Sequence, residues 1–145
     1  MYENVRALGN QDSLLSNTSS ATTVAHHYFK SCYVEGDTDF IFGRGTAMFD
    51  GCEIKYLTAR KSNGAILAPS MVASNSYGIF IINSTFTRSG STSGTVFLGH
   101  AWDESVGPLS NYVNGTSPNG QAVIRDSVPG GRFYEFNNTG AGNGG

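Results

Sequence analysis

A short motif recurs along this chain at irregular intervals, and it restricts the fold more than any other feature. It consists of a large apolar residue, two variable residues, a small or medium residue, one variable residue and another apolar residue. It reads Tyr2-Glu-Asn-Val5-Arg-Ala7, Phe29-Lys-Ser-Cys32-Tyr-Val34, Phe49-Asp-Gly-Cys52-Glu-Ile54 and Ile81-Ile-Asn-Ser84-Thr-Phe86, and more loosely Val123-Ile-Arg-Asp126-Ser-Val128. The starts lie 27, 20, 32 and 42 residues apart. A constant strand motif with variable spacing is the pattern of a solenoid whose loops differ in length. The surrounding sequence agrees. Short runs rich in β-branched and aromatic residues, such as Phe40-Ile41-Phe42 and Ile79-Phe80-Ile81-Ile82, alternate with Gly, Ser and Asn clusters. No long stretch repeats apolar residues at helical spacing. The expected fold is all-β, a single-stranded right-handed parallel β-helix. A β-sandwich accounts for the strands but not for the recurrence.

The repeat makes two geometric predictions. Cys32 and Cys52 occupy the same motif position on successive coils, so their Cα atoms should lie about 5 Å apart. That distance admits a disulfide, and equally two stacked buried thiols. Asp12 follows Tyr2 by ten residues and Asp39 follows Phe29 by ten. If both loops take one path, the two carboxylates stack on adjacent coils. Two carboxylates about 5 Å apart do not both ionise easily, which leaves an acid beside a base or nucleophile. Unrelated turn aspartates are the alternative.

Composition narrows the partners. Only 14% of residues are charged, the net charge is −2, and Ser, Thr and Asn together number 41. Polarity here is hydroxyl and amide. That excludes a coiled coil and a charged disordered tail, and without a basic block nucleic acid is not an expected partner. No apolar run approaches 18 residues, so no membrane span is expected. The opening Met-Tyr-Glu-Asn-Val-Arg does not read as a secretory leader. Other chemistry has little support. Gly90-Ser-Thr92-Ser-Gly94 puts Thr where a nucleophile elbow needs Ser, and reads as a loop. His26 and His27 are adjacent on a strand and point to opposite faces, so they make no metal pair. Asp37 reads as a solvated turn residue.

Four segments carry a family resemblance. Val34-Glu-Gly-Asp-Thr-Asp39-Phe-Ile-Phe42-Gly43 resembles the signature of pectin methylesterases, without a gap. Gly9-Asn-Gln11-Asp12-Ser-Leu14 resembles that family's Gly-x-Gln-Asp-Thr-Leu segment, and Leu98-Gly-His100-Ala-Trp102 resembles its Leu-Gly-Arg-Pro-Trp segment. The tail Phe133 to Gly142 is similar to its closing Glu-Tyr-x-Asn-x-Gly-x-Gly stretch. The order is also the family's, and Gly43 to Asp50 looks most like bacterial members. The resemblance implies a right-handed parallel β-helix over residues 1–145, shortened on its N-terminal side, with a Gly- and Asn-rich tail over residues 129–145. It implies Asp39 as nucleophile on a methyl ester of galacturonate, Asp12 as general acid and then base, and Gln11 as a hydrogen-bond donor to the oxyanion. Phe42 and Trp102 would shape the sugar subsites, with His100 beside them. No metal or organic cofactor is implied. The partner would be methyl-esterified pectin, met outside the cell or at its envelope.

Three departures stand out. His100 takes the place of an Arg that pairs with the nucleophile in the family. Arg is always charged, whereas His loses its charge near pH 6.5 unless shifted. His100 either faces Asp39 or is a surface loop histidine. A second oxyanion Gln of the family lies upstream of the region that this chain contains. Typical members are also about twice as long, so the first coil would expose an unpaired strand edge, through which dimerisation is an expected route. The reading is therefore a pectin methylesterase. The alternatives are a non-catalytic or differently specific relative: an acyl ester or thioester hydrolase, or a polysaccharide-binding β-helix. Paired carboxylates on a β-helix also suit a glycoside hydrolase.

Overall fold

Each copy of the motif opens a coil of short strands. A computed structural model of the chain describes residues 1–20, 22–90, 96–130 and Phe133. The first coil holds β1 (Tyr2–Glu3), β2 (Arg6–Leu8) and β3 (Leu14–Leu15). The second holds β4 (His26–Lys30), β5 (Tyr33–Gly36) and β6 (Ile41–Gly43), and the third β7 (Thr46–Asp50), β8 (Glu53–Tyr56) and β9 (Ala65–Pro69). The fourth holds β10 (Ile79–Ile82), β11 (Thr85–Arg88) and β12 (Phe97–Gly99), and the fifth β13 (Ala122–Arg125) and β14 (Val128–Pro129). The strands stack into three sheets, in the orders β1-β4-β7-β10-β13, β2-β5-β8-β11-β14 and β3-β6-β9-β12. Every pairing between these strands is parallel. The architecture is the expected parallel β-helix and not a sandwich.

The register follows the motif through four coils. Tyr2 pairs with Phe29, Phe29 with Phe49, and Phe49 with Ile81. The fifth copy is one residue later than expected, because Ile81 pairs with Ile124 and not with Val123. Val123 faces outward and is 57% exposed. A slip of one residue exchanges the two faces of a strand, and Val-Ile offers two apolar residues that look equally fit for the core. The backbone decides between them. Asn4, Ser31, Gly51, Asn83 and Asp126 hold φ values of 56°, 52°, 61°, 51° and 49°. Each is the third motif residue once the last copy starts at Ile124. A single left-handed residue therefore turns the chain from the first sheet into the second on every coil. Asn, Asp and Gly tolerate that conformation at least cost.

The core lies inside the coils and is built by stacking like on like. The rings of Tyr2 and Phe29 are 4.9 Å apart and 12° from parallel, and those of Phe29 and Phe49 are 4.6 Å and 9°. Val34, Ile54 and Phe86 form a second buried column. The small motif residues form a polar ladder beside them. The Cys32 amide donates to Cys52 Sγ (3.4 Å), the Cys52 amide to Ser84 Oγ (3.0 Å), and the Ser84 amide to Ser127 Oγ (3.1 Å). Cys32 and Cys52 are thus stacked as the spacing predicts, and both are buried free thiols. Burial is also the main cause that pushes the Cys52 thiol up, which keeps it unreactive at neutral pH.

The ladder gives a stability prediction. Cys52→Ser keeps an acceptor for the Cys32 amide and should change stability little. Cys52→Val fills similar space but orphans that buried N–H, which costs about 1–3 kcal/mol. Urea denaturation of the two variants measures the difference.

The two ends of the stack differ from its middle. Tyr2, Leu8 and Leu15 on the first coil are 46%, 60% and 50% exposed, and Val128 on the last is 64% exposed. Of the closing segment from Phe133 to Gly142, all but Phe133 lies outside the described residues, as do residues 91–94 of the Gly90 to Gly94 loop and most of the 129–145 tail. Phe133 packs edge-on against Phe86, with ring centroids 6.1 Å apart.

Candidate active site

The site sits where the second sheet turns into the third. Two successive coils run in step there. The Asp37 amide donates to Asn10 O (2.7 Å), the Asp12 amide to Thr38 O (3.1 Å) and the Leu14 amide to Phe40 O (2.8 Å). Gln11 and Thr38 form a parallel bridge. The third coil holds the other side, since the Asp39 amide donates to Ala65 O (2.8 Å). Asp12 and Asp39 therefore occupy equivalent places on adjacent coils, one strand spacing of about 4.8 Å apart. This is the stacking that the ten-residue offset predicts.

Local backbone explains why aspartates stand there. Asp12 and Asp39 hold φ values of 54° and 47°, a region where Asp is enriched among non-Gly residues. Gly36 opens the turn on the second coil. A Cβ at Gly36 would lie 2.2 Å from Phe40 Cβ and 2.4 Å from Asn10 O, so no other residue fits. Asp tolerates that conformation at little cost, so two such residues can stand on adjacent coils.

The surroundings act on the Asp12 carboxyl. Partial burial and then the charge of Asp39 push the Asp12 carboxyl above the usual aspartate range. Asp12 and Gln11 are exposed, whereas the Asp39 side chain is only 15% exposed. His100 does face Asp39, with Nε2 2.8 Å from Asp39 Oδ1. Its Nδ1 lies 2.9 Å from Ala101 O. A carbonyl only accepts, so Nδ1 carries a proton. With Asp39 ionised, Nε2 carries one too and the ring is an imidazolium. The hydrogen bond to Asp39 is the main cause that raises the His100 pKa above its ordinary 6.5. Protonated, His100 places a cation on Asp39, as an Arg would, and the raised pKa extends that state above pH 6.5.

The aromatic residues complete the rim. Phe42 on β6 and Trp102 lie 5.9 Å apart, tilted by 54°. The His100 amide donates to Leu67 O (2.9 Å) and the Trp102 amide to Pro69 O (3.1 Å), so the 100–102 segment extends alongside β9. Gln11, Asp12, Asp39, Phe42, His100 and Trp102 all fall on this third sheet or its approach. Two acidic residues there escape sequence reasoning. Asp103 is buried next to His100, and its carboxyl is pushed up mainly by desolvation. Asp37 is not a solvated turn residue: it is fully buried, with Arg60 Nε 3.2 Å from Oδ2. Its cover is a loop more than twenty residues onward, which no local pattern announces. Among the described residues no cluster of three or more His, Cys, Asp or Glu could hold a metal ion.

The chain resembles known proteins over nearly its whole length. The family model for pectinesterases matches residues 1–144. A pectinesterase of Ralstonia nicotianae is 46% identical over 175 residues, covering 99% of this chain, and one of Ralstonia solanacearum is 43% identical over the same span. The solved structure of the rice weevil pectin methyl esterase superposes with a TM-score of 0.81 at 34% identity, covering 99% of this chain. The chain spans 44% of the length of the two Ralstonia proteins and 48% of the weevil chain.

Proposed function

Because the chain belongs to the pectinesterase family, we propose that it takes part in hydrolysing the methyl esters of pectin, with Asp39 as the nucleophile. The supporting observation is the pairing of Asp39 with His100 at 2.8 Å, one coil from a carboxyl that is easier to protonate. The Asp39 carboxylate adds to the ester carbonyl, and the electron pair moves to the carbonyl oxygen. The Gln11 amide donates to that oxyanion. The intermediate collapses as Asp12 protonates the departing methanol, leaving an acyl anhydride on Asp39. Water, deprotonated by Asp12, attacks the same carbonyl and releases the galacturonate carboxylate with Asp39 restored. His100 aims Asp39 through the hydrogen bond between them. Phe42 and Trp102 present aromatic faces to the sugar rings. The polysaccharide is met outside the cell or at its envelope, and no cofactor enters any step.

The test is product chemistry on highly methylated pectin. Methanol released in step with new carboxylates, without new reducing ends, is the expected result. Reducing ends would instead indicate glycoside hydrolysis, and turnover of acyl thioesters with no methanol would indicate a differently specific relative. Binding of oligogalacturonate without any turnover would leave a polysaccharide-binding β-helix.

A further inference from the structure

Asp37 is an acid that the reaction above does not use. It is 0% exposed, and among the described residues no hydrogen bond reaches either carboxylate oxygen. Arg60, itself 58% exposed, lies 3.2 Å away but misaligned for a hydrogen bond, so the contact is Coulombic. Burying a carboxylate with so little compensation is costly. The equivalent place on the first coil, at the open end of the stack, holds an exposed Asn10.

Arg60 belongs to the 57–64 segment between β8 and β9, and that segment is tied down elsewhere. The Leu57 amide donates to Gly36 O (2.7 Å). The buried Tyr56 hydroxyl donates to Lys61 O (2.8 Å) and accepts from the Gly64 amide (2.9 Å). Gly64 presses on the backbone of Asp37, where a Cβ would lie 2.1 Å from its carbonyl oxygen. The next residue, Ala65, accepts the Asp39 amide. The segment thus runs from the Asp37 counterion to the backbone of the nucleophile.

We infer that Asp37 and Arg60 form a latch that positions Asp39, by holding the 57–64 segment against the coil so that Ala65 fixes the left-handed backbone of the nucleophile. Asp37 is a positioning residue here, and its catalytic effect rests on the role proposed for Asp39. The groups that bear on the site are Asp12 from the first coil, Asp37 from the second, Tyr56, Arg60 and Lys61 from the third, and His100 and Asp103 from the fourth. Lys61 lowers and Asp39 raises the His100 pKa. The His100 ring therefore reports where Asp39 sits.

The test compares Asp37→Asn, Arg60→Gln and Arg60→Lys in the full chain. Asp37→Asn and Arg60→Gln should each lower kcat about tenfold with KM within about twofold. Both should also move the His100 titration, followed by NMR, down by about half a unit. Arg60→Lys should keep the native values. A mere field effect would shift His100 in opposite directions, since one variant removes an anion and the other a cation. Opposite shifts, or none, overturn the latch. If Arg60→Gln does not fold, amide exchange at Asp39 in Asp37→Asn decides. It should quicken about tenfold, and an unchanged rate overturns the latch. These two readouts stand even if the chain releases no methanol, so failure of the esterase reading and failure of the latch are told apart.

Discussion

Asp39→Asn is expected to lower methanol release from methylated pectin by about a thousandfold or more, with the β-rich fold retained. The size follows from chemistry: an amide oxygen does not add to an ester carbonyl at a useful rate. Retention of the fold follows from the backbone. Position 39 holds φ at 47°, and Asn visits that region as readily as Asp. Ala there would add about 1–2 kcal/mol of left-handed strain, so only the Asn variant separates chemistry from folding. Circular dichroism and the melting temperature check the fold while headspace methanol checks activity. Residual turnover within about tenfold of the native chain would remove Asp39 from the nucleophile's place.

The second large effect concerns pH. His100 supplies its cation only while protonated, and its pKa is raised chiefly by the hydrogen bond to Asp39. Activity should therefore fall as pH rises through that raised value, above 6.5. His100→Arg cannot lose its charge and offers a bidentate fork. Its activity should persist to about pH 9 and lie within about threefold of the native chain near pH 6, whereas His100→Ala should lose about ten- to a hundredfold throughout. Stability should track the same titration. A group whose pKa is raised by folding stabilises the fold fully below its unfolded value near 6.5, and that stabilisation disappears as pH rises through the folded value. Melting temperature should thus decline over that window for the native chain more than for His100→Arg. A pH profile identical in the two proteins would mean that His100 is neutral at work.

The two predictions rest on residues of different legibility. Asp12 and Asp39 could be paired from the sequence, because both first coils count ten residues from the motif start to the carboxylate. The likeness of Leu98 to Trp102 to a known segment brought His100 to the same place, although spacing alone left its direction open. Stacking of Cys32 on Cys52 was equally legible, since motif position determines it. The last coil was misread for want of the corner rule, as Val123 and Ile124 are both apolar and β-branched. Asp126, in the left-handed position, was the residue that could have settled it. Asp37 was illegible for a different reason. Asp beside Gly normally signals a solvated turn, and its burial is imposed by Arg60 and Gly64 from a separate coil. Environments assembled across coils leave no trace in a local window.

The constant two-residue corner between the first two sheets separates two kinds of length change. Between the second and third sheets the connections are residues 9–13, 37–40, 57–64 and 89–96, and from the third sheet back to the first they are 16–25, 44–45, 70–78 and 100–121. Those differ widely, yet the strands remain in register across every coil. Insertions and deletions at these two corners extend outward and leave the rungs aligned, whereas one added residue beside Asn83 or Asp126 would turn a core column to solvent. Loop grafting is therefore a usable way to redesign what this scaffold grips. Segments that return from the third sheet to the first can be exchanged whole beside Phe42 and Trp102, provided that 9–13 and 37–40, which carry Asp12 and Asp39, keep their count.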